Sequence, residues 1–255
     1  MKGFAFVTSV VRLSLPVALV SVALLAACGG GGSGSTAAAV VVDPNLTVPV
    51  QAAIASLVTQ GVSKSFTLSG WIDHSTLANP VPHTPITGSG TLTIGPASTV
   101  VANSGPLSGT SAFQSVQVLS GTATSGGQSS PISGTATAYY STSNYTVLAT
   151  WDGTNFSYYS PYTYPTSVKA GDTGTFGNAT TGGFFPVTTS TVYSVASDTA
   201  TTLLVTIAST MQDSGVTTTR TVYRISTSGV IQLVSESVDK AFAGSAYQSV
   251  TYTFS

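Results

Sequence analysis

The chain has 255 residues, of which 42 % are hydrophobic and only 6 % charged, with a formal net charge of −1. A charged fraction so far below the roughly 25 % of ordinary soluble domains argues against nucleic acid as a partner, because counterion release needs a basic footprint. The hydrophobic share argues against an intrinsically disordered chain, and the single cysteine leaves no internal disulfide to support the fold.

Lys2 and Arg12 supply the positive charge of a short N-terminal region, and residues 13–27 then carry no charge at all. As a helix those residues reach about 22 Å, short of the roughly 30 Å hydrocarbon core. Pro16 also interrupts them, so the run fits a secretory signal better than a spanning helix. Small Ala26 and Ala27 come next, directly before Cys28. The stretch Leu25-Ala26-Ala27-Cys28 resembles the lipobox of bacterial lipoprotein precursors. That resemblance implies removal of residues 1–27 as a signal peptide, a diacylglyceryl group on the Cys28 sulfur, and acylation of the new amino group by a palmitate-type chain. The membrane is then a partner through acyl chains on Cys28; each buried CH₂ contributes about 0.8 kcal/mol, and two or three chains anchor stably where one does not. Gly29 stands where an Asp would retain such lipoproteins at the inner membrane, so the expected location is the cell envelope, lipid-anchored at the outer membrane. A plain signal peptide with a chance cysteine is the alternative. Loss of Lys2 and Arg12 leaves five basic against eight acidic residues, a net charge near −3.

Residues 28–46 read as the lipidated Cys followed by a flexible linker, whose Gly/Ser-rich part spans about 15 Å r.m.s.. Residues 47–255 read as one helix plus an antiparallel β domain. The helix is expected over 47–60: Val50, Ile54, Leu57 and Val58 recur at helical spacing, Thr47 can cap, Pro49 suits the first turn and Gly61 the C-terminal stop.

From Val62 the pattern changes to period two. Phe66, Leu68 and Ile72 alternate with polar residues, as do Leu92 and Ile94, then Val116 and Val118. Ala136, Ala138 and Tyr140 follow, then Tyr145, Val147, Ala149 and Trp151. Leu203, Val205 and Ile207, then Tyr223 and Ile225, then Val230, Gln232 and Val234, and last Val250, Tyr252 and Phe254 continue the habit. Tight turns at Gly126-Gly127, residues 141–144, Asp152–Asn155 and Ser228-Gly229 demand antiparallel neighbours. The expected fold is mainly β: an antiparallel meander curled into a half-barrel or sandwich, one helix packed on it, its wet face covered with Ser and Thr. Strand edges so poor in charge are an aggregation hazard that Lys64 and Lys240 can blunt. The proline-rich stretch near 160–166 can divide the sheet into two lobes.

Chemistry is sparse. Asp73, His74 and His83 have the residue types of a metal set, but they straddle a proline-rich loop and match no known ligand spacing. Asp172-Thr173-Gly174 spells an aspartic-protease tripeptide without a second copy, and a turn explains it. No Gly-x-Ser-x-Gly elbow and no phosphate-binding glycine loop is present, so no catalytic residue and no cofactor is expected. Trp151, Phe156, Tyr158 and Tyr162 lie close together in sequence; sheet packing accounts for them, and so does a ring platform for a sugar or another flat apolar ligand. Residues 168–237 resemble the half-barrel lipid carriers of bacterial envelopes, which implies a wide apolar concavity. The expected function is a lipid-anchored, non-catalytic binding module for an apolar or glycan ligand or a partner protein, with a ligand-free structural protein and a hydrolase as alternatives.

Overall fold

The computed structural model describes residues 43–73, 83–103, 105–182, 186–212, 215–242 and 247–255. The predicted lipidation site Cys28, the predicted signal segment 1–27 and His74 lie outside them. In chain order come β1 (Thr47–Val48), α1 (Val50–Gln60), β2 (Val62–Asp73), β3 (Thr84–Ile94), β4 (Ser98–Val101), a 3₁₀ turn (Gly105–Leu107), β5 (Ser111–Ser125) and β6 (Gln128–Ser141). Then follow β7 (Val147–Trp151), β8 (Phe156–Tyr159), β9 (Val168–Lys169), β10 (Thr173–Thr181) and β11 (Val187–Ser197). The last four strands are β12 (Thr202–Gln212), β13 (Gly215–Ser226), β14 (Ile231–Phe242) and β15 (Tyr247–Phe254).

Among the described residues the protein is mainly β and antiparallel, with one α-helix, as the sequence pattern predicted. The half-barrel or sandwich gives way to a closed barrel. Its ladder runs β3-β2-β15-β14-β13-β12-β11-β10-β8-β7-β6-β5, and β5 pairs back onto β3, which closes 12 strands. Closure follows from close backbone approach at one corner. Gly90 on β3 faces Gly121 on β5, and a Cβ added at Gly90 would lie 2.2 Å from the Ser120 carbonyl oxygen. The ring of Phe66 on β2 covers the space these glycines leave open. Closure also removes the edges that Lys64 and Lys240 were expected to blunt: β2 and β14 have a neighbour on each side. β4 sits outside the ring on the first residues of β5, and β1 pairs with β9 in a separate two-stranded ladder.

The helix starts at Val50, later than predicted, because Thr47 is taken into β1 and Pro49 becomes the N-cap, without a side-chain cap bond. Gly61 ends it at a φ of 69°, its N–H donating to the Leu57 carbonyl at 2.9 Å. The Ala97 N–H, after β3, donates to the Val58 carbonyl, and Pro49 lies against Gly229 in the β13–β14 turn. β3 and β13 both end at the same end of the barrel, so α1 crosses that opening as a floor. About 16 Å of helix suffices for this. Val50, Ala53, Ile54, Leu57 and Val58 are buried in the stripe the sequence predicted. Among the described residues, no helix is long and apolar enough to cross a membrane.

Alternation showed which residues share a face, and in three runs the face or the phase differs from the expectation. On β5, Ser115 and Gln117 are buried inside while Val116 and Val118 are 44 % and 42 % exposed. The pairing of Leu119 with Leu92 sets that register, and Ser115 is satisfied by donating to the Gly95 carbonyl at 2.6 Å. A bulge between Tyr139 and Tyr140 shifts β7, so Val147 faces in and Trp151 faces out, while Tyr145 occupies a turn with a φ of 59°. A second bulge, between Val222 and Tyr223, places Leu233 inside beside Tyr223, and Val230 is 58 % exposed. The outer wall carries exposed hydroxyls at Thr87, Ser89, Thr91, Thr93, Ser120 and Thr122, as expected of the wet face. A membrane-spanning barrel instead presents an apolar band about 25 Å tall.

Candidate functional site: an aromatic strip and a hydroxyl-lined cleft

β7 and β8 form a short hairpin whose pairing sets Trp151 opposite Phe156, Thr150 opposite Ser157 and Ala149 opposite Tyr158. Period two then divides the side chains. Trp151, Phe156 and Tyr158 face outward, and Thr150, Ser157 and Tyr159 face the lumen. On the outer face the rings form a strip. Trp151 and Phe156 stack with centroids 6.2 Å apart at 27°, and Phe156 and Tyr158 at 5.7 Å and 14°. Tyr139 of β6 extends the strip, 6.2 Å from Phe156, and its hydroxyl accepts from the Gln114 amide at 3.1 Å. Trp151 is 38 % exposed. Burial, with the Tyr139 phenol nearby, pushes the Tyr158 hydroxyl above its ordinary range and keeps it a proton donor.

Three of the four predicted ring positions therefore meet, and Tyr162 does not join them. It packs on the core side, 5.3 Å from the Tyr164 ring and 5.9 Å from Phe176. Its hydroxyl accepts from the Val147 N–H at 2.9 Å and bonds the Tyr164 hydroxyl at 3.1 Å. The chain turns between Tyr159 and Tyr162, so a tyrosine close in sequence lands on the opposite face. Tyr139 is the strip residue that sequence reasoning missed. Its signal was the Tyr139-Tyr140 pair, one member of which must face out from a strand.

Behind the strip, inside the barrel, lies a cleft of about 50 Å³. Thr150, Ser157, Thr189, Ser209, Thr217 and Thr219 give it a hydroxyl lining, and Ala136, Ala179 and Met211 add apolar atoms. Trp151, Asp152 and Asn155 stand at its mouth, so the cleft and the strip share the β7–β8 rim. That rim is held by Asp152, whose Oδ1 accepts from the N–H groups of Thr154 and Asn155 at 2.9 and 2.8 Å. Ser157 and Thr181 bond each other at 3.0 Å across the wall. The buried hydroxyls of Thr191, Ser209 and Thr217 have no hydrogen-bond partner among the described residues.

Deeper in the lumen, Glu236 of β14 is 4 % exposed and faces Thr221, whose hydroxyl donates to it at 3.3 Å. Burial raises its carboxyl from the ordinary 4.5 to about 7. Two ion pairs stand on the outer wall: Arg224 grips Asp198 through Nε at 2.6 Å and Nη2 at 3.1 Å, and Arg220 bonds Asp239. The Arg224 guanidinium holds the Asp198 carboxyl below its usual range.

Of the weak metal set, Asp73 ends β2 and the His83 ring lies 4.0 Å from that of Trp71, before β3. Among the described residues, no group of three or more His, Cys, Asp or Glu gathers to hold a metal. Asp172 sits in a turn, its Oδ2 accepting from the Lys169 N–H at 2.9 Å, with Gly171 at a φ of 89°.

Comparison with protein-family models, with curated proteins and with solved structures finds no match to this chain.

Proposed function

We propose that this is a lipid-anchored envelope protein, tethered through Cys28 at the outer membrane, that binds glycan without catalysis on the outer strip of its barrel. The observation that carries this reading is the row of Trp151, Phe156 and Tyr158, three nearly parallel rings side by side on the outer side of a hydroxyl-covered wall. Ring faces take the apolar C–H side of a sugar, and the surrounding Ser, Thr and Tyr hydroxyls take its O–H groups. A bulky apolar cargo fits poorly. Such ligands fill clefts of about 300 Å³ or more, and the lumen cleft has about 50 Å³ with hydroxyl walls. That argues against the carriage suggested by the half-barrel resemblance.

A direct test is retention of the mature lipoprotein, in detergent, on an immobilised polysaccharide panel. Trp151→Ala should weaken retention about tenfold, the loss expected for about 1.4 kcal/mol of stacking. Retention unchanged in that variant would sink the strip as a binding site. The anchor is tested separately: Cys28→Ser should yield an uncut, unlipidated precursor, and a processed, membrane-bound variant would refute the lipobox. The packed floor favours one other reading, a structural surface protein without ligand. Absence of retention on every glycan tried would support it.

A further inference from the structure

The cleft behind the rim is blind, because helix α1 and the core cluster close the barrel beneath it. It also holds unmet hydrogen-bonding capacity. Ser209 is 4 % exposed, lines the cleft, and has a buried hydroxyl with no partner among the described residues; Thr217, also lining it, has another. Leaving such a group unpaired costs about 1–3 kcal/mol, so a polar guest toward which the side chain can turn its hydroxyl is favoured over an apolar one.

The lining restricts what the guest can be. Among the described residues no Lys or Arg lines the cleft, and the Asp152 carboxylate stands at its mouth, so a phosphate or carboxylate would meet like charge on entering. Hydroxyls both donate and accept, which matches a neutral amide with one N–H and one carbonyl. Ala136, Ala179 and Met211 offer apolar contact for a methyl group. The volume agrees: about 50 Å³ holds about four waters at 10–15 Å³ each, hence about four non-hydrogen atoms. An acetamido group has that size and that pairing of methyl and amide. Trp151 borders both the cleft and the strip, so a ring lying at the rim can direct such a substituent inward.

We infer that the cleft is the subsite for the N-acetyl group of an amino sugar whose ring lies over the β7–β8 rim. This inference rests on the glycan reading of the strip and adds the substrate class. A site built to hydrogen-bond an N–H discriminates strongly against the analogue that lacks it.

The test is titration calorimetry on the mature lipoprotein in detergent, with β-1,4-linked oligomers of N-acetylglucosamine and of glucose at equal length. The N-acetylated oligomer should bind at least about tenfold more tightly. Ser209→Val, which fills the cleft and removes its hydroxyl, should reduce that preference to about twofold or less while leaving affinity for the glucose oligomer unchanged. Thr217→Val, nearer the mouth, is the second variant should Ser209→Val not fold. Equal binding of the two oligomers to the unaltered protein overturns the subsite and leaves the glycan reading standing. Binding of neither overturns the subsite, and absence of retention on the whole polysaccharide panel as well overturns both. A preference that survives in the folded variants places acetyl recognition elsewhere and overturns the assignment to this cleft.

Discussion

Along β12 the inward residues are Leu203, Val205 and Ile207 near the floor and Ser209 toward the rim; along β13 they run from Ile225 and Tyr223 to Thr221 and Thr219. The same strands therefore enclose two different interiors. Near the floor, α1, Phe176, Tyr164, Tyr223 and the aliphatic residues fill the lumen. Toward the rim, threonine, serine and alanine leave the cleft. A barrel of this size cannot be filled by its strand residues alone, since about eight strands already give an interior that side chains just fill. The helix and the large rings solve that problem at one end. The other end keeps space and hydrogen-bonding groups, and it is the end next to the outer aromatic strip. Apolar packing is concentrated in one half, and open space with unpaired hydroxyls in the other.

The largest effect should come from the floor. Phe176 is 1 % exposed and packs 4.7 Å from the Tyr193 ring and 5.1 Å from Tyr164. Phe176→Ala should cost about 3–5 kcal/mol in urea unfolding. A loss below about 1 kcal/mol would mean the floor is not the packed half.

Glu236 sits between the halves, and its titration separates them. Its folded value of about 7 lies above its ordinary 4.5. The folded state then holds the proton more tightly than the unfolded chain. Its contribution is fully present below pH 4.5 and is lost as pH rises through 7. The swing is on the order of 3 kcal/mol. Stability should therefore fall across that window, and Glu236→Gln should flatten the fall and unfold less readily at about pH 8. A variant with the parent's pH profile would assign the dependence to another group.

Much of this architecture was legible in the sequence. The 3.6-residue spacing of Val50, Ile54 and Leu57 located the helix, and the alternating runs with their glycine turns located the antiparallel strands. Barrel closure was not legible, because it depends on β3 meeting β5 through close contacts at Gly90 and Gly121, and alternation carries no information about which distant strands pair. Nor does alternation say which face is the core. On β5 that choice goes to Leu119 opposite Leu92, and Val116 and Val118 are left outside. The strip was half legible: Trp151, Phe156 and Tyr158 surround one hairpin, whereas Tyr139 comes from β6 and Tyr162 turns to the other face. The cleft was invisible, since its walls gather hydroxyls from residues 150–219 in a chain where Ser and Thr occur throughout.

The smallest effect is also the most discriminating between the two halves, because it exchanges one hydroxyl for one methyl with almost no change of shape. Thr191 is 1 % exposed and its hydroxyl has no partner among the described residues. Thr191→Val should leave stability unchanged or raise it by up to about 1 kcal/mol, since it removes a buried polar group that gains nothing from the fold. The reverse exchange at the floor, Val205→Thr, puts a hydroxyl among apolar neighbours and should cost about 1–3 kcal/mol. Both positions lie on adjacent strands and face the same lumen. Opposite signs from one chemical exchange would mark where the packed interior ends. Equal losses at both would mean that Thr191 has a partner in solution, such as a water held in the upper lumen, and that the rim half is ordered by hydrogen bonds.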